Sequence, residues 1–217
     1  MAEHQGAVES MTEYRTIAKE ASAVFTERRS RFIGYAKPVA TEQEAQAFLG
    51  EIRAKHWDAT HNVYAYSLRE GQTRRYSDDG EPQGTAGIPA LDVILKSGVT
   101  DTTVVVTRYF GGVLLGAGRL VRAYSHGASL ALEQAGVITM RPCLTAEVIC
   151  DYSQYGRLSS LIPESGGAVD DTSFTDAVTV LLHIGKEDLE PFRRKLADFT
   201  CGQREVSVTG EKYFRIL

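Results

Sequence analysis

Three carboxylates fall within four positions in Ser77-Asp78-Asp79-Gly80-Glu81-Pro82, and further on a single arginine, Arg108, closes the apolar run Thr103–Thr107. Grouped carboxylates can hold Mg²⁺ or move protons, and a fixed guanidinium clamps a phosphate or carboxylate. His61, in Ala59-Thr60-His61-Asn62, adds a side chain able to shuttle a proton. The same residues can also serve the fold alone. Aspartate accepts backbone N–H groups in a tight turn and Gly80 tolerates positive φ. An Arg108 paired with Asp78, Asp79 or Glu81 would lock the turns together. The acidic segment lacks the spacing of a calcium loop, and His56 and His61 lie across a helix-to-strand break, so the sequence assigns no metal site and no cofactor.

Both stretches run into glycine: Gly84-Thr85-Ala86-Gly87 after the turn, and Tyr109-Phe110-Gly111-Gly112 leading to Gly116-Ala117-Gly118 after Arg108. Helices starting after such loops leave their first N–H groups free, which makes each start a potential anion site. No third glycine stands at position 121, so the dinucleotide fingerprint is not met, and no Gly-Lys-Ser/Thr supports a P-loop. Basic residues that could form a local patch are Arg69, Arg74, Arg75, Arg108, Arg119 and Arg122. Arg74, Arg75 and Arg108 with the glycine loops make one face for RNA phosphates, on which Tyr76 and Tyr109 could stack bases.

The elements that must position these groups follow from periodicity. Residues 1–13 read as a flexible start. Two β-prone runs, Ala23-Val24-Phe25 and Phe32-Ile33-Gly34-Tyr35, flank an arginine-rich tip, Glu27 to Arg31, which reads as solvated. Thr41 with Glu44 predicts a capping box, and Ala45, Phe48, Leu49 and Ile52 predict one apolar helix face ending near His56-Trp57. Thr60–Leu68 alternates as a strand, and Thr73–Ser77 is a second strand leading to the acidic turn. Ala86–Lys96 reads as a short helix with Ile88, Leu91 and Leu95 at helical spacing. Thr103–Thr107 reads as a central strand covered on both faces. The helix from Arg119 to about Gln134 carries Ala123, Gly127 and Ala131 as a small face for close packing, and Gly136 stops it. His126 and His183 read as structural. Met140-Arg141-Pro142 is expected as a hinge, after which strand, helix, two strands, helix and strand follow in βαββαβ order. The reading is therefore α+β, with domains at 14–140 and 143–217.

At 217 residues, with 43% hydrophobic and 24% charged, the chain can bury a sizeable core. Cys143, Cys150 and Cys201 are an odd number without C-x-x-C spacing, which opposes a disulfide framework or zinc knuckle. No apolar run approaches the roughly 18 residues of a membrane span, and the polar, acidic start is no signal peptide, so a cytoplasmic protein is expected. The formal net charge of −4 falls on residues 143–217, since 1–142 balance. That excludes the strongly basic balance of a typical nucleic-acid binder and leaves only a local patch for such a role.

Ala59-Thr60-His61-Asn62, Asp78-Asp79-Gly80-Glu81-Pro82-x-Gly84-Thr85-Ala86-Gly87 and Val106-Thr107-Arg108-Tyr109-Phe110-Gly111-Gly112-x-Leu114-Leu115-Gly116 together resemble the IMPACT/YigZ family, over about residues 14–138. The C-terminal half is similar to the accessory domain of its bacterial members. The resemblance implies a ribosomal protein S5 domain 2-like domain followed by a ferredoxin-like domain similar to the last domain of elongation factor G. It also implies a link to translation: eukaryotic relatives interfere with activation of a starvation-sensing kinase through an additional N-terminal domain, and the bacterial type is tied to RNA or the ribosome. The chain departs from the family pattern at Arg119, commonly glycine, and at Ile88, often basic. Three readings stand at this point. One is a non-enzymatic, translation-associated protein binding RNA, a ribosomal surface or a protein of the translation apparatus. Another is a Mg²⁺-dependent enzyme on a phosphorylated or carboxylated small molecule, with Asp78, Asp79 and Glu81 on the metal or as acid/base, His61 shuttling a proton and Arg108 on the anion. The last is a protein-interaction module with architectural glycine loops.

Overall fold

A computed structural model describes residues 11–215, so most of the segment expected as a flexible start lies outside the described residues. The chain divides into two compact units within a long strand: Tyr14–Thr139 forms one, and the chain from Met140 belongs to the other.

The first unit contains β1 (Tyr14–Ile17), β2 (Ala21–Glu27), β3 (Ser30–Pro38), α1 (Glu42–Lys55), β4 (His61–Ser67), β5 (Arg74–Ser77), α2 (Gly87–Lys96), β6 (Thr102–Tyr109) and α3 (Ala117–Ala135). Its sheet runs β2-β3-β6-β4-β5 and every pair is antiparallel. As its β-branched run predicts, β6 lies at the centre with Thr102 to Arg108 buried. Successive side chains face opposite ways along a strand, so this sheet serves two cores. Ile33, Tyr35 and Val105 meet Phe48, Leu49 and Ile52 of α1 on one face. Phe32, Ala36, Val63, Ala65, Val104 and Val106 meet α2 and α3 on the other.

Half of the predicted capping box is present: Glu44 N–H donates to Thr41 Oγ1 at 3.2 Å, while the Glu44 carboxylate accepts from Ala40 N–H at 2.6 Å instead of from Thr41; all four expected apolar residues are buried. The small face of α3 approaches β3 closely enough that a Cβ on Gly34 would fall 2.1 Å from the Gly127 carbonyl oxygen. In α2 the expected stripe is displaced. Ala90 and Ile94 are buried, Leu91 and Leu95 only partly, and Ile88 is exposed. The phase is set at the helix start, where a Cβ on Gly87 would lie 2.8 Å from the Ser77 carbonyl group.

In the second unit β7 (Val137–Cys150, from Met140 onward), α4 (Tyr152–Glu164), β8 (Ala168–Phe174), β9 (Val178–Ile184), α5 (Lys186–Thr200) and β10 (Ser207–Arg215) follow in the expected βαββαβ order. The strands lie in the order β10-β7-β9-β8. Leu158, Leu161, Ile162, Leu189, Phe192 and Leu196 pack with Ala146, Val148, Val180 and Leu182 as its core. Met140, Arg141 and Pro142, expected as a hinge, are instead strand residues of β7, paired with Arg215, Phe214 and Tyr213 of the last strand. Cys150 is the core residue its apolar neighbours predict.

Candidate functional site

The acidic turn lies between β5 and α2, with Asp79 and Gly80 at φ 45° and 87°. Asp78 turns its carboxylate onto the start of α2. Its Oδ2 accepts from Gly84 N–H at 2.8 Å, and its Oδ1 accepts from Ala86 and Gly87 N–H at 3.1 and 2.8 Å. The helix has no side-chain cap at Ala86 itself, so a carboxylate from the preceding turn supplies one. The anion site expected there is filled by the protein. Thr85 closes the loop by donating its hydroxyl to the Pro82 carbonyl at 2.6 Å.

Asp79 and Glu81 are equally engaged. Asp79 Oδ2 accepts from Asn62 N–H at 2.6 Å and Oδ1 from Arg53 Nη2 at 2.8 Å. His61 Nδ1 donates to the Asp79 carbonyl at 2.8 Å, which leaves Nε2 facing Glu81 Oε1 at 3.7 Å. Glu81 Oε1 accepts from Arg108 Nη1 at 2.5 Å and from the Tyr124 hydroxyl at 2.7 Å. Burial and the adjacent Glu81 carboxylate hold the Tyr124 phenol far above its ordinary range, so it remains a donor.

Arg108 is 5% exposed. Cross-strand register sets it opposite His61 and Phe32, its guanidinium lies 5.5 Å from the Phe32 and Phe110 ring centres, and Nη2 donates to Ser30 Oγ at 3.3 Å. Gly111 packs beside this cluster, where a Cβ would stand 2.1 Å from the Arg29 carbonyl. Of the expected partners Arg108 takes Glu81, and the cluster is an internal lock joining β3, β6, the acidic turn and α3.

A second network, which the sequence reading missed, centres on His56. The Tyr109 hydroxyl donates to Asp58 at 3.1 Å, so it accepts from His56 Nδ1 at 2.8 Å, and His56 Nε2 accepts from the Tyr35 hydroxyl at 2.6 Å. This direction of donation requires a neutral imidazole. Burial, with the nearby charges of Lys55 and Arg31, accordingly lowers its pKa from the usual value. The fixed hydroxyl and the Arg31 guanidinium 5.0 Å over the Tyr109 ring oppose the stacking role expected of that residue.

The remaining basic residues separate. Arg74, Arg75 and the half-exposed Tyr76 are on β5, at one edge of the sheet, with Arg75 3.7 Å from Glu42. Arg119 is on α3, which packs against β2 and β3 at the other edge. Four strand spacings, roughly 19 Å, separate β5 from β2. The single RNA face expected from Arg74, Arg75, Arg108 and the glycine loops is therefore divided, with its central arginine buried. At the β2 side, Arg119, Arg122, Ala123 and His126 of α3 and Phe25, Thr26 and Glu27 of β2 line a cleft of about 380 Å³. Neither Arg119 nor Arg122 has an ion-pair partner among the described residues. His126, read as structural, is exposed with its ring edge-on to Phe25 at 4.8 Å. Gly112 and Gly116 hold φ of 79° and 74° in the adjoining loop, which exposes Phe110 and Leu114. His183, in the second unit, binds Asp170 at 2.6 Å and stacks on Phe214.

Comparison with known proteins places this arrangement. Residues 28–132 match the Impact N-terminal domain, and residues 148–203 match a domain of unknown function, DUF1949. The chain is 35% identical over 194 residues to the IMPACT family member YvyE of Bacillus subtilis, covering 89% of each chain. It is 35% identical over 182 residues to the IMPACT family member YigZ of Escherichia coli, covering 82% of this chain and 89% of that one. A crystal structure of a hypothetical protein aligns with a TM-score of 0.59 at 33% identity, over 92% of this chain and 98% of the other. With two bacterial relatives matched over most of their length and the signature motifs built into one locked domain, the chain belongs to the IMPACT family.

Proposed function

We propose that this protein is a non-enzymatic, translation-associated factor whose first unit binds RNA, free or on the ribosome, through the arginine-bearing end formed by the β2–β3 tip and α3. The observation that carries this reading is the placement of Arg119 and Arg122. Both lie in the first two turns of α3, whose first turn holds no acidic residue, and both lack ion-pair partners among the described residues. Cations near a helix N-terminus oppose the macrodipole, and like charges three apart repel. Such residues weaken the fold where they stand and gain from an anion.

The adjacent tip supports the same reading. Arg28 and Arg29 occupy a two-residue turn at φ 43° and 69°, conformations that glycine and asparagine adopt more easily. Exposed Phe110 and Leu114 beside the tip offer apolar surface to bases or to a ribosomal protein.

The Mg²⁺-enzyme reading loses support. Asp78 accepts from three backbone N–H groups, Asp79 from Asn62 and Arg53, and Glu81 from Arg108 and Tyr124. A metal would have to displace partners at every one of them.

The test is co-sedimentation with purified ribosomes across a salt series, wild type against the double substitution Arg119→Ala and Arg122→Ala. Expected are binding that weakens as salt rises and a shallower salt dependence in the variant. Binding that ignores salt, or a variant indistinguishable from wild type, would overturn the assignment to this face.

A further inference from the structure

The cleft between β2 and α3 carries more information than charge. Its volume of about 380 Å³ is at the small end of ligand sites, enough for one nucleotide and too little for several. On the α3 side stand Arg119 and Arg122, one helical turn apart and therefore neighbours on the same surface. Guanidinium groups pair with phosphate through parallel N–H donors. On the β2 side stands Glu27, with no ion-pair partner among the described residues, and Thr26 next to it. A carboxylate in a site for inorganic phosphate alone would repel its ligand. It fits a ligand that bears hydroxyl donors beside its phosphate. Phe25 offers no free face for a base, since its ring is stacked on Phe32 at 5.1 Å and met edge-on by His126. The charged groups of the lining thus suit a phosphate and a sugar hydroxyl.

We propose that this cleft seats one ribonucleotide unit, with its phosphate between Arg119 and Arg122 and its ribose 2′-hydroxyl donating to the Glu27 carboxylate. The inference deepens the RNA reading above and rests on it for the source of the ligand. Through the 2′-hydroxyl, this site distinguishes RNA from DNA at a surface whose arginines alone would bind either. His126 is the exposed ring of the lining, and stacking of a base on a ring is sequence-tolerant, so the discrimination is independent of sequence.

The experiment measures binding of one short unstructured RNA and its DNA counterpart by fluorescence anisotropy across a salt series, for wild type, Arg122→Ala and Glu27→Ala. Arg122 is exposed and Glu27 half-buried, and a urea denaturation curve of each variant confirms that it folds. Arg122→Ala is expected to weaken both ligands about tenfold and lower the salt slope by about one. Glu27→Ala is expected to reduce the RNA-to-DNA affinity ratio to about one while DNA binding holds or improves. In parallel, AMP and 2′-deoxy-AMP are titrated while the backbone amides of Thr26, Glu27 and Ala123 are followed by NMR. Wild-type RNA binding with an unchanged ratio in Glu27→Ala and an unchanged slope in Arg122→Ala overturns the cleft assignment and leaves the RNA reading standing. No RNA binding, with AMP shifting those amides in wild type but not in Arg122→Ala, supports the ribonucleotide site and overturns the RNA reading in favour of a free nucleotide. Silence in both arms overturns both.

Discussion

The two helices that share one face of the first sheet begin in opposite ways. At the start of α2 the chain brings its own anion, the Asp78 carboxylate, onto three backbone N–H groups. At the start of α3 there is no side-chain cap, no acidic residue in the first turn, and arginines at 119 and 122. Both starts follow glycine-rich loops of the same appearance in sequence. The difference shows that a glycine loop before a helix is an invitation to an anion without saying whose. At α2 the fold answers it: Asp78 is spent on backbone N–H groups, Asp79 on Arg53 and Asn62, and Glu81 on Arg108 and Tyr124. At α3 it is left open, and basic charge accumulates.

The strongest way to break the comparison is to strike the closed side. Glu81→Ala leaves the Arg108 guanidinium buried without its carboxylate and removes the acceptor of Tyr124. Removing one partner of a buried ion pair costs about 3–5 kcal/mol, so urea denaturation should show a loss of that order. A loss below about 1 kcal/mol would mean that water reaches Arg108, and that the cluster is less an interior lock than a site.

Next in size is the cap. Asp78→Ala should cost about 1–2 kcal/mol, as loss of an N-cap does. Amide exchange at Gly84, Ala86 and Gly87 should accelerate more than exchange in the middle of α2. Uniform acceleration along the helix would show that Asp78 acts on the fold at large and not on the helix start.

These expectations also mark what was legible in the sequence. The faces of α1, β6 and α3 were readable because each is a local periodicity: Ala45-Phe48-Leu49-Ile52, the β-branched run 103–107, and Ala123-Gly127-Ala131. The βαββαβ order of the second unit was readable for the same reason. The burial phase of α2 was not, because it is set by Gly87 lying against Ser77 and not by the spacing of Ile88, Leu91 and Leu95. Met140–Pro142 resembled a hinge because its pairing partner, β10, lies far along the chain. Of the site, pairing of Arg108 with one of three carboxylates stood as one of two open readings, and the choice of Glu81 depends on register between strands. Arg74, Arg75 and Arg108 made one face with the glycine loops only on paper, since Arg108 is buried on β6 and β5 lies at the sheet's far edge. Glu27 and His126 gave no signal beyond their residue types until β2 and α3 were brought together.

The first unit also keeps a buried histidine neutral, and pH measures this. His56 is 6% exposed, its Nε2 accepts from Tyr35, and its pKa is lowered chiefly by burial. The unfolded chain therefore binds a proton at this position at higher pH than the folded one does. Its contribution to stability is complete above the ordinary histidine pKa of about 6.5 and is lost as pH falls through that value toward the lowered one. Urea midpoints at pH 7.5 and 5.5 should differ, and His56→Gln should shrink the difference. An unchanged difference would assign the acid sensitivity to other groups.

The smallest effect on stability is expected where the functional reading places the greatest weight. Arg119→Ala and Arg122→Ala remove no ion pair among the described residues, relieve a like-charge pair one turn apart, and take positive charge from the end of α3 that disfavours it. The double variant should melt at the wild-type temperature or slightly above it, within about 0.5 kcal/mol, while its ribosome binding weakens. Residues that hold the fold destabilise it when cut; residues kept for a ligand do not. A variant that unfolds as readily as Glu81→Ala would erase the contrast between the two helix starts and return Arg119 and Arg122 to the architecture.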